Sequence, residues 1–144
     1  MPQTRARSRE RMRTPRILVV DDDADTRELY VEYLTLSGFD ARSAPDGPTA
    51  LELARTERPT LVTVDLSLPG MDGCEVARTL KTDPRTRDIL VFALTGRVEP
   101  KYREDAARAG CDLFIAKPCL PHVLVEHIVR ALDGVTLGGT SSSG

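Results

Sequence analysis

Between residues 16 and 132, short apolar runs alternate with stretches whose apolar residues recur at helical spacing. The runs are RILVV (16–20), FDARS (39–43), TLVTV (60–64), ILVFAL (89–94) and DLFIA (112–116). Their length and β-branched content predict strands, and the uninterrupted ones predict strands covered on both faces. A first helix is expected to begin at Asp23, whose carboxylate can cap it, with Leu29, Tyr33 and Leu36 as its apolar stripe and Gly38 as its stop. PDGPTALELART (45–56) supplies a turn and a second helix that turns Ala50, Leu51 and Leu53 to the sheet. CEVARTLKT gives a third helix, ended by Asp83-Pro84. PKYREDAARAG gives a fourth, with Pro100 in its first turn and Gly110 at its end. LPHVLVEHIVRAL gives a fifth, with Leu120, Val123, Leu124, His127, Ile128 and Ala131 near one side.

Five strand–helix units joined by short connections predict an α/β fold: a doubly wound, five-stranded parallel sheet with helices on both faces. In such a sheet the working crevice lies beyond the carboxyl ends of the strands. Asp21, Asp22 and Asp23 follow the first run, Asp65 the third, Thr95 and Gly96 the fourth, and Lys117-Pro118 the fifth. Residues far apart in sequence are therefore expected at one end of the sheet.

Clustered carboxylates without histidine or cysteine partners suit a hard divalent cation such as Mg2+, which keeps waters and tolerates phosphate nearby. Beside such a cation the Asp65 carboxylate can attack phosphorus as a nucleophile. Thr95 can donate to a phosphoryl oxygen and Lys117 can balance its charge. Taken singly, DDD is a capped turn, LPGMDG a glycine turn and Lys117 a solvated lysine. Only their joint position after successive strands points to chemistry.

ILVVDDDADTREL (17–29), LVTVDLSLPGMDG (61–73), VFALTG (91–96) and FIAKP (114–118) together resemble the signatures of the receiver domain of two-component response regulators. The resemblance covers about residues 16–132 and implies the flavodoxin-like strand order 2-1-3-4-5. It also implies Asp65 as phosphoacceptor, with Thr95 and Lys117 assisting. Asp21, Asp22, Asp65 and the backbone carbonyl of Ser67 would hold Mg2+, Asp22 directly and Asp21 mostly through water. Thr95 and Phe114 would form the switch pair, and the Lys117–Pro118 peptide would be cis. Cys119 departs from the phenylalanine common at that place, and Ser67 occupies a variable position that influences how long the phosphoryl group lasts.

The resemblance implies a single-domain regulator, not a turnover enzyme, that takes its phosphoryl group from a histidine kinase or a histidine phosphotransfer protein. It would signal to a downstream protein target through the face made by the fourth helix, fifth strand and fifth helix. The alternatives are a receiver-fold adaptor that binds without phosphorylation and a truncated receiver of a larger regulator. A third is an aspartyl-phosphate hydrolase, but its D-x-D-x-[TV] signature fails here, since Asp23-Ala24-Asp25-Thr26 is followed by Arg27.

Charge divides the chain. Residues 1–16 hold six arginines against Glu10, a balance of +5, which leaves −7 for the remainder of a chain whose net charge is −2. Residues 1–15 read as a basic disordered arm, 16–133 as the receiver domain and 134–144 as a flexible Gly/Ser tail too short for an output domain. Without interleaved aromatic residues the arm gives little support to nucleic-acid binding. No apolar run is long enough to span a bilayer, so no membrane contact and a cytoplasmic location are expected. Cys74, Cys111 and Cys119 lack metal or disulfide spacing and read as reduced thiols. His122 and His127 read as ordinary helix residues.

Overall fold

The computed structural model describes residues 14–136. Five strands, β1 (Arg16–Val20), β2 (Asp40–Ala44), β3 (Leu61–Asp65), β4 (Leu90–Thr95) and β5 (Leu113–Ala116), alternate with five helices. These are α1 (Ala24–Leu36), α2 (Gly47–Glu57), α3 (Gly73–Thr82), α4 (Pro100–Ala109) and α5 (Pro121–Thr136). The sheet is wholly parallel in the order β2-β1-β3-β4-β5. The chain therefore winds outward from β1 to one edge, then returns past it to build the other. The crevice opens between β1 and β3, where that direction reverses.

Alternation along the strands sorts the core into two layers. Leu18, Val20, Val62, Val64 and Val91 pack with Leu51 and Ala54 of α2, Val76 and Leu80 of α3, and Ala109 of α4. Ile17, Val19, Leu61, Phe92, Leu94 and Ile115 pack with Tyr30 and Leu34 of α1 and Leu124 and Ile128 of α5. Burying each such aliphatic side chain contributes about 1.5–3 kcal/mol. This two-sided burial explains why every residue of β3 is buried and why, apart from Thr63, the strand is apolar up to Asp65.

Helix boundaries follow local chemistry. Asp23, Asp46 and Asp72 cap α1, α2 and α3, their carboxylates accepting the N–H of Thr26, Thr49 and Glu75 respectively. Pro100 opens α4, and Gly110 closes it at φ +98°, a left-handed conformation that glycine adopts without strain.

The phase of α1 differs from the sequence reading. Tyr30 and Leu34 face the sheet, whereas Leu29, Tyr33 and Leu36 point outward at 52%, 37% and 80% exposure. Apolar residues lie on both sides of this helix, so spacing alone leaves two stripes open. The turn at its start decides between them: the Asp23 N–H donates to Asp21 Oδ1 and the Asp23 side chain caps Thr26, which fixes where the helix begins.

Smaller corrections have similar origins. Ala54 is buried in α2, and Leu53 packs only at the edge of its layer. Leu120 precedes α5 and is 59% exposed. Strands β2 to β5 each begin one residue later than their apolar runs, and β2, β3 and β4 also end one residue later.

Arg16, whose charge is summed with that of the basic arm, opens β1 as expected and pairs with Asp40 and Glu57. The other arginines of the arm lie outside the described residues. Helix α5 runs to Thr136, into the stretch read as tail, and 137–144 lie outside the described residues. Among the described residues no helix is long and apolar enough to cross a membrane.

Candidate functional site

Asp21 leaves the carboxyl end of β1, Asp65 is the last residue of β3, Thr95 the last of β4, and Lys117 follows β5. The parallel register therefore brings them to one rim of the sheet. Asp21 and Asp65 are 4% and 8% exposed, and both oxygens of each carboxylate are engaged. Oδ1 of each accepts the backbone N–H two residues on, from Asp23 in one case and Ser67 in the other, at 2.9 Å. Oδ2 of each accepts from the Lys117 ammonium at 3.0 Å. Burial alone would pull this ammonium below its ordinary value, but hydrogen bonds and charge from Asp65 and Asp21 outweigh that and hold it above.

Asp22 points to solvent and has no ion-pair partner among the described residues. The carboxylates of Asp21, Asp22 and Asp65 each offer an oxygen within 4.8 Å of the others. Three carboxylates facing one ammonium leave an excess of two negative charges, with no sulfur or nitrogen ligand in the set. That donor chemistry fits a hard, oxygen-binding divalent cation.

The loop after Asp65 is held close by glycine. A Cβ on Gly73 would lie 2.6 Å from the Asp65 carbonyl oxygen and 2.7 Å from Leu66 Cα, so only glycine lets α3 start against the end of β3. Gly70, at φ +82°, turns the chain ahead of it. On the other side of the crevice, wholly buried Thr95 accepts the Arg97 N–H at its hydroxyl oxygen, 3.0 Å away, and its carbonyl accepts the Lys117 N–H at 2.8 Å. Ser67, Thr95, Arg97 and Tyr102 help line a cleft of about 260 Å³ beside the acids.

The sequence matches the response regulator receiver domain over residues 17–129. The chain belongs to the response regulator receiver domain family. It is 40% identical over 120 residues to the response regulator PleD of Caulobacter vibrioides, covering 81% of this chain and 26% of that protein. It is 40% identical over 113 residues to the DNA-binding response regulator MtrA of Mycobacterium tuberculosis, covering 78% of this chain and 48% of that protein. The chain thus spans about a quarter to a half of these curated relatives. A CheY-like receiver domain protein from Methanospirillum hungatei superposes with a TM-score of 0.82 at 27% identity, covering 88% of this chain and 99% of that one.

Within this receiver, Asp21, Asp22, Asp65 and Lys117 form one cluster, with Thr95 and Ser67 at its edge. Phe114 stands apart. It is partly exposed on β5, belongs to neither core layer and lies under the Arg103 guanidinium, 4.6 Å from the ring centre. The Lys117–Pro118 peptide is cis.

Three residues that sequence reasoning passed over bear on the receiver site. Gly73 sets the approach of α3, and its only signal was its place in the turn LPGMDG. Arg27 reaches from α1 to donate to the Asp21 carbonyl at 2.9 Å. Tyr30 donates to the Cys119 carbonyl at 2.6 Å, and a correct phase for α1 would have turned it inward. Burial pushes the Cys119 thiol above its ordinary value, as it does Cys74, and pushes Cys111 up to about 12, so none is poised as a thiolate.

Proposed function

We propose that this receiver is a phosphoacceptor of two-component signalling that takes a phosphoryl group on Asp65 and is read by a downstream protein. The observation that carries the reading is the Lys117 ammonium set 3.0 Å from both buried carboxylates, in a pocket with an excess of negative charge. An isolated salt bridge would not need the third carboxylate, whereas an acceptor site that recruits a cation does.

Asp65 Oδ attacks phosphorus, forming a P–O bond as the donor's P–N or P–O bond breaks. The donor departs with the bonding electron pair and takes up a proton. Response regulators act with histidine kinases or phosphotransfer partners, so a phosphohistidine is the proposed physiological donor. Lys117 stabilises the charge gathering on the phosphoryl oxygens, and the Thr95 hydroxyl donates to one of them. A magnesium ion bound by Asp21, Asp22, Asp65 and the Ser67 carbonyl would supply positive charge against those oxygens. Ser67 is exposed on the loop that its own N–H ties to Asp65, within reach of the same space.

Signalling follows if phosphorylation shifts the balance between two arrangements of the α4–β5–α5 face. Turning toward the new oxygens takes the Thr95 hydroxyl from its bond with Arg97, and inward movement of Phe114 breaks its stack with Arg103. In this reading the protein is a signalling acceptor rather than a turnover enzyme, and it acts in the cytoplasm.

Mass spectrometry after incubation with Mg2+ and a small acyl phosphate or phosphoramidate tests the acceptor. Wild type gains one phosphoryl group, mapped to Asp65, and Asp65→Asn gains none while keeping its circular dichroism. Equal incorporation into both would refute the assignment.

A further inference from the structure

We infer that Tyr30 is a positioning residue for Lys117, acting through the backbone of the loop between β5 and α5. The inference rests on the acceptor reading of Asp65 only for its kinetic consequence, since the geometry is independent of it. Tyr30 lies in the second turn of α1, 5% exposed, in the layer that also holds Leu34, Cys119 and Leu124. Its hydroxyl donates at 2.6 Å to the carbonyl of Cys119, a residue 89 positions away and two beyond Lys117.

Nothing else described in this loop ties it to α1 in the same way. Lys117 is anchored at its backbone N–H by the Thr95 carbonyl, on the β4 side. Beyond it come Pro118, which has no N–H to offer, and Cys119, whose carbonyl is taken by Tyr30. The lysine is therefore held between two backbone anchors, one from β4 and one from α1. Helix α1 is in turn fixed to the acids: its cap residue Asp23 donates to Asp21, and Arg27 donates to the Asp21 carbonyl. Asp21 and the loop bearing Lys117 thus share one rigid support, which sets the spacing between carboxylate and ammonium.

Side-chain size agrees with this role. Cysteine at 119 is small and 9% exposed, and it leaves room for a phenol to reach the main chain behind it. Burial raises the Tyr30 hydroxyl above its ordinary value, so it remains a neutral donor at physiological pH.

Tyr30→Phe keeps the ring and removes only the anchor. The test measures two quantities: the NMR signals of the Lys117 side chain in protein without donor or metal, and the rate of Asp65 phosphorylation by a small acyl phosphate with Mg2+. Because a displacement of about 1 Å can cost up to about a hundredfold in rate, a partial release of Lys117 predicts roughly a tenfold slower transfer. The Lys117 signals are expected to move toward those of a solvent-exposed lysine. Leu124→Val serves as the packing control: it lowers the melting temperature through the same layer but leaves the Lys117 signals in place. If Tyr30→Phe loses the fold, 3-fluorotyrosine at position 30 changes the strength of the hydroxyl as a donor while keeping the ring, and the Lys117 signals must still shift. Lys117 signals unchanged in the variant, or equally displaced by Leu124→Val, overturn the inference. A wild-type protein that accepts no phosphoryl group overturns the proposed function instead, and the lysine signals still decide the role of Tyr30.

Discussion

The two ends of the sheet carry charge in opposite ways. At the amino end, Arg16 and Arg42 share Asp40 and Glu57 at 2.9–3.2 Å, Lys81 pairs with Asp112 at 2.9 Å, and Asp83 sits between Arg85 and Arg55 at 2.8 and 3.7 Å. Each of these four acids has at least one cationic partner. At the carboxyl end, Asp21 and Asp65 share the ammonium of Lys117, and Asp22 stands beside them with no cationic partner among the described residues. Exposed pairs of the first kind contribute about 0–1 kcal/mol each and tolerate loss. Buried like charges of the second kind cost stability unless a cation joins them. A sheet selected for stability alone would be built like the amino end throughout. The imbalance at the other end is what a site for a cation and a phosphoryl group requires.

The largest break in this contrast is expected from Lys117→Ala. Removing a preorganised positive group from a developing anion costs about 10²–10³-fold in rate, so transfer from a small phosphodonor should fall by at least the lower figure. Arg42→Ala, a cation lost at the amino end, should leave that rate within about a factor of two, because it removes two partly exposed pairs remote from Asp21, Asp22 and Asp65. Rates from quantitative mass spectrometry across both variants check the difference, and equal losses would abolish the distinction between the ends.

Asp22→Ala should have a smaller effect, read by melting with and without Mg2+. A ligand present at about 100 times its dissociation constant stabilises the folded state by about 2.7 kcal/mol. Loss of one charged oxygen donor that weakens binding about tenfold would remove about 1.4 kcal/mol of that gain. The variant should melt at or above wild type in chelator, where one repelling charge is gone, and below it in Mg2+. A Mg2+-induced shift of equal size in both proteins would show that Asp22 holds no cation.

How much of this contrast the sequence reveals depends on whether a feature is local. Asp22 and Asp65 stand out because each follows a short apolar run, and strand ends can be read from composition. Pro100 and Gly110 bound α4 for similarly local reasons. The phase of α1 is not local: Leu29 and Tyr30 are both apolar, and the choice between them depends on a turn stapled by Asp21 and on a hydroxyl that meets residue 119. The charge network at the amino end is hidden for the same reason. Arg16 reads as the first residue of a strand, but its partners stay hidden until β2 and α2 place Asp40 and Glu57 beside it. Lys117 is legible as a strand-end lysine, but its bridging of two carboxylates from different strands needs the sheet order.

The smallest effect sharpens the contrast with pH. At the amino end, Asp83 caps the end of α3, and the Arg85 side chain is the main reason its carboxyl is held down at about 2, below the ordinary 3.8. A folded-state value lowered in this way gives stability that is complete above 3.8 and is lost as pH falls from there through about 2. Arg85→Ala removes that side-chain bond while the backbone N–H of residue 85 can still reach Asp83. Urea unfolding should therefore show wild type more stable than Arg85→Ala near pH 5, by a margin that shrinks steadily as pH falls below about 4. Because the Arg85 side chain is 62% exposed, salt should shrink the same margin at pH 5 through screening. Mg2+ should leave it unchanged, although it shifts the melting of both proteins through the carboxyl end. A margin that follows Mg2+ would mean that the two ends are energetically coupled and that the separation drawn from their ion pairs is wrong, and one independent of pH would mean that Arg85 does not hold the Asp83 carboxyl down.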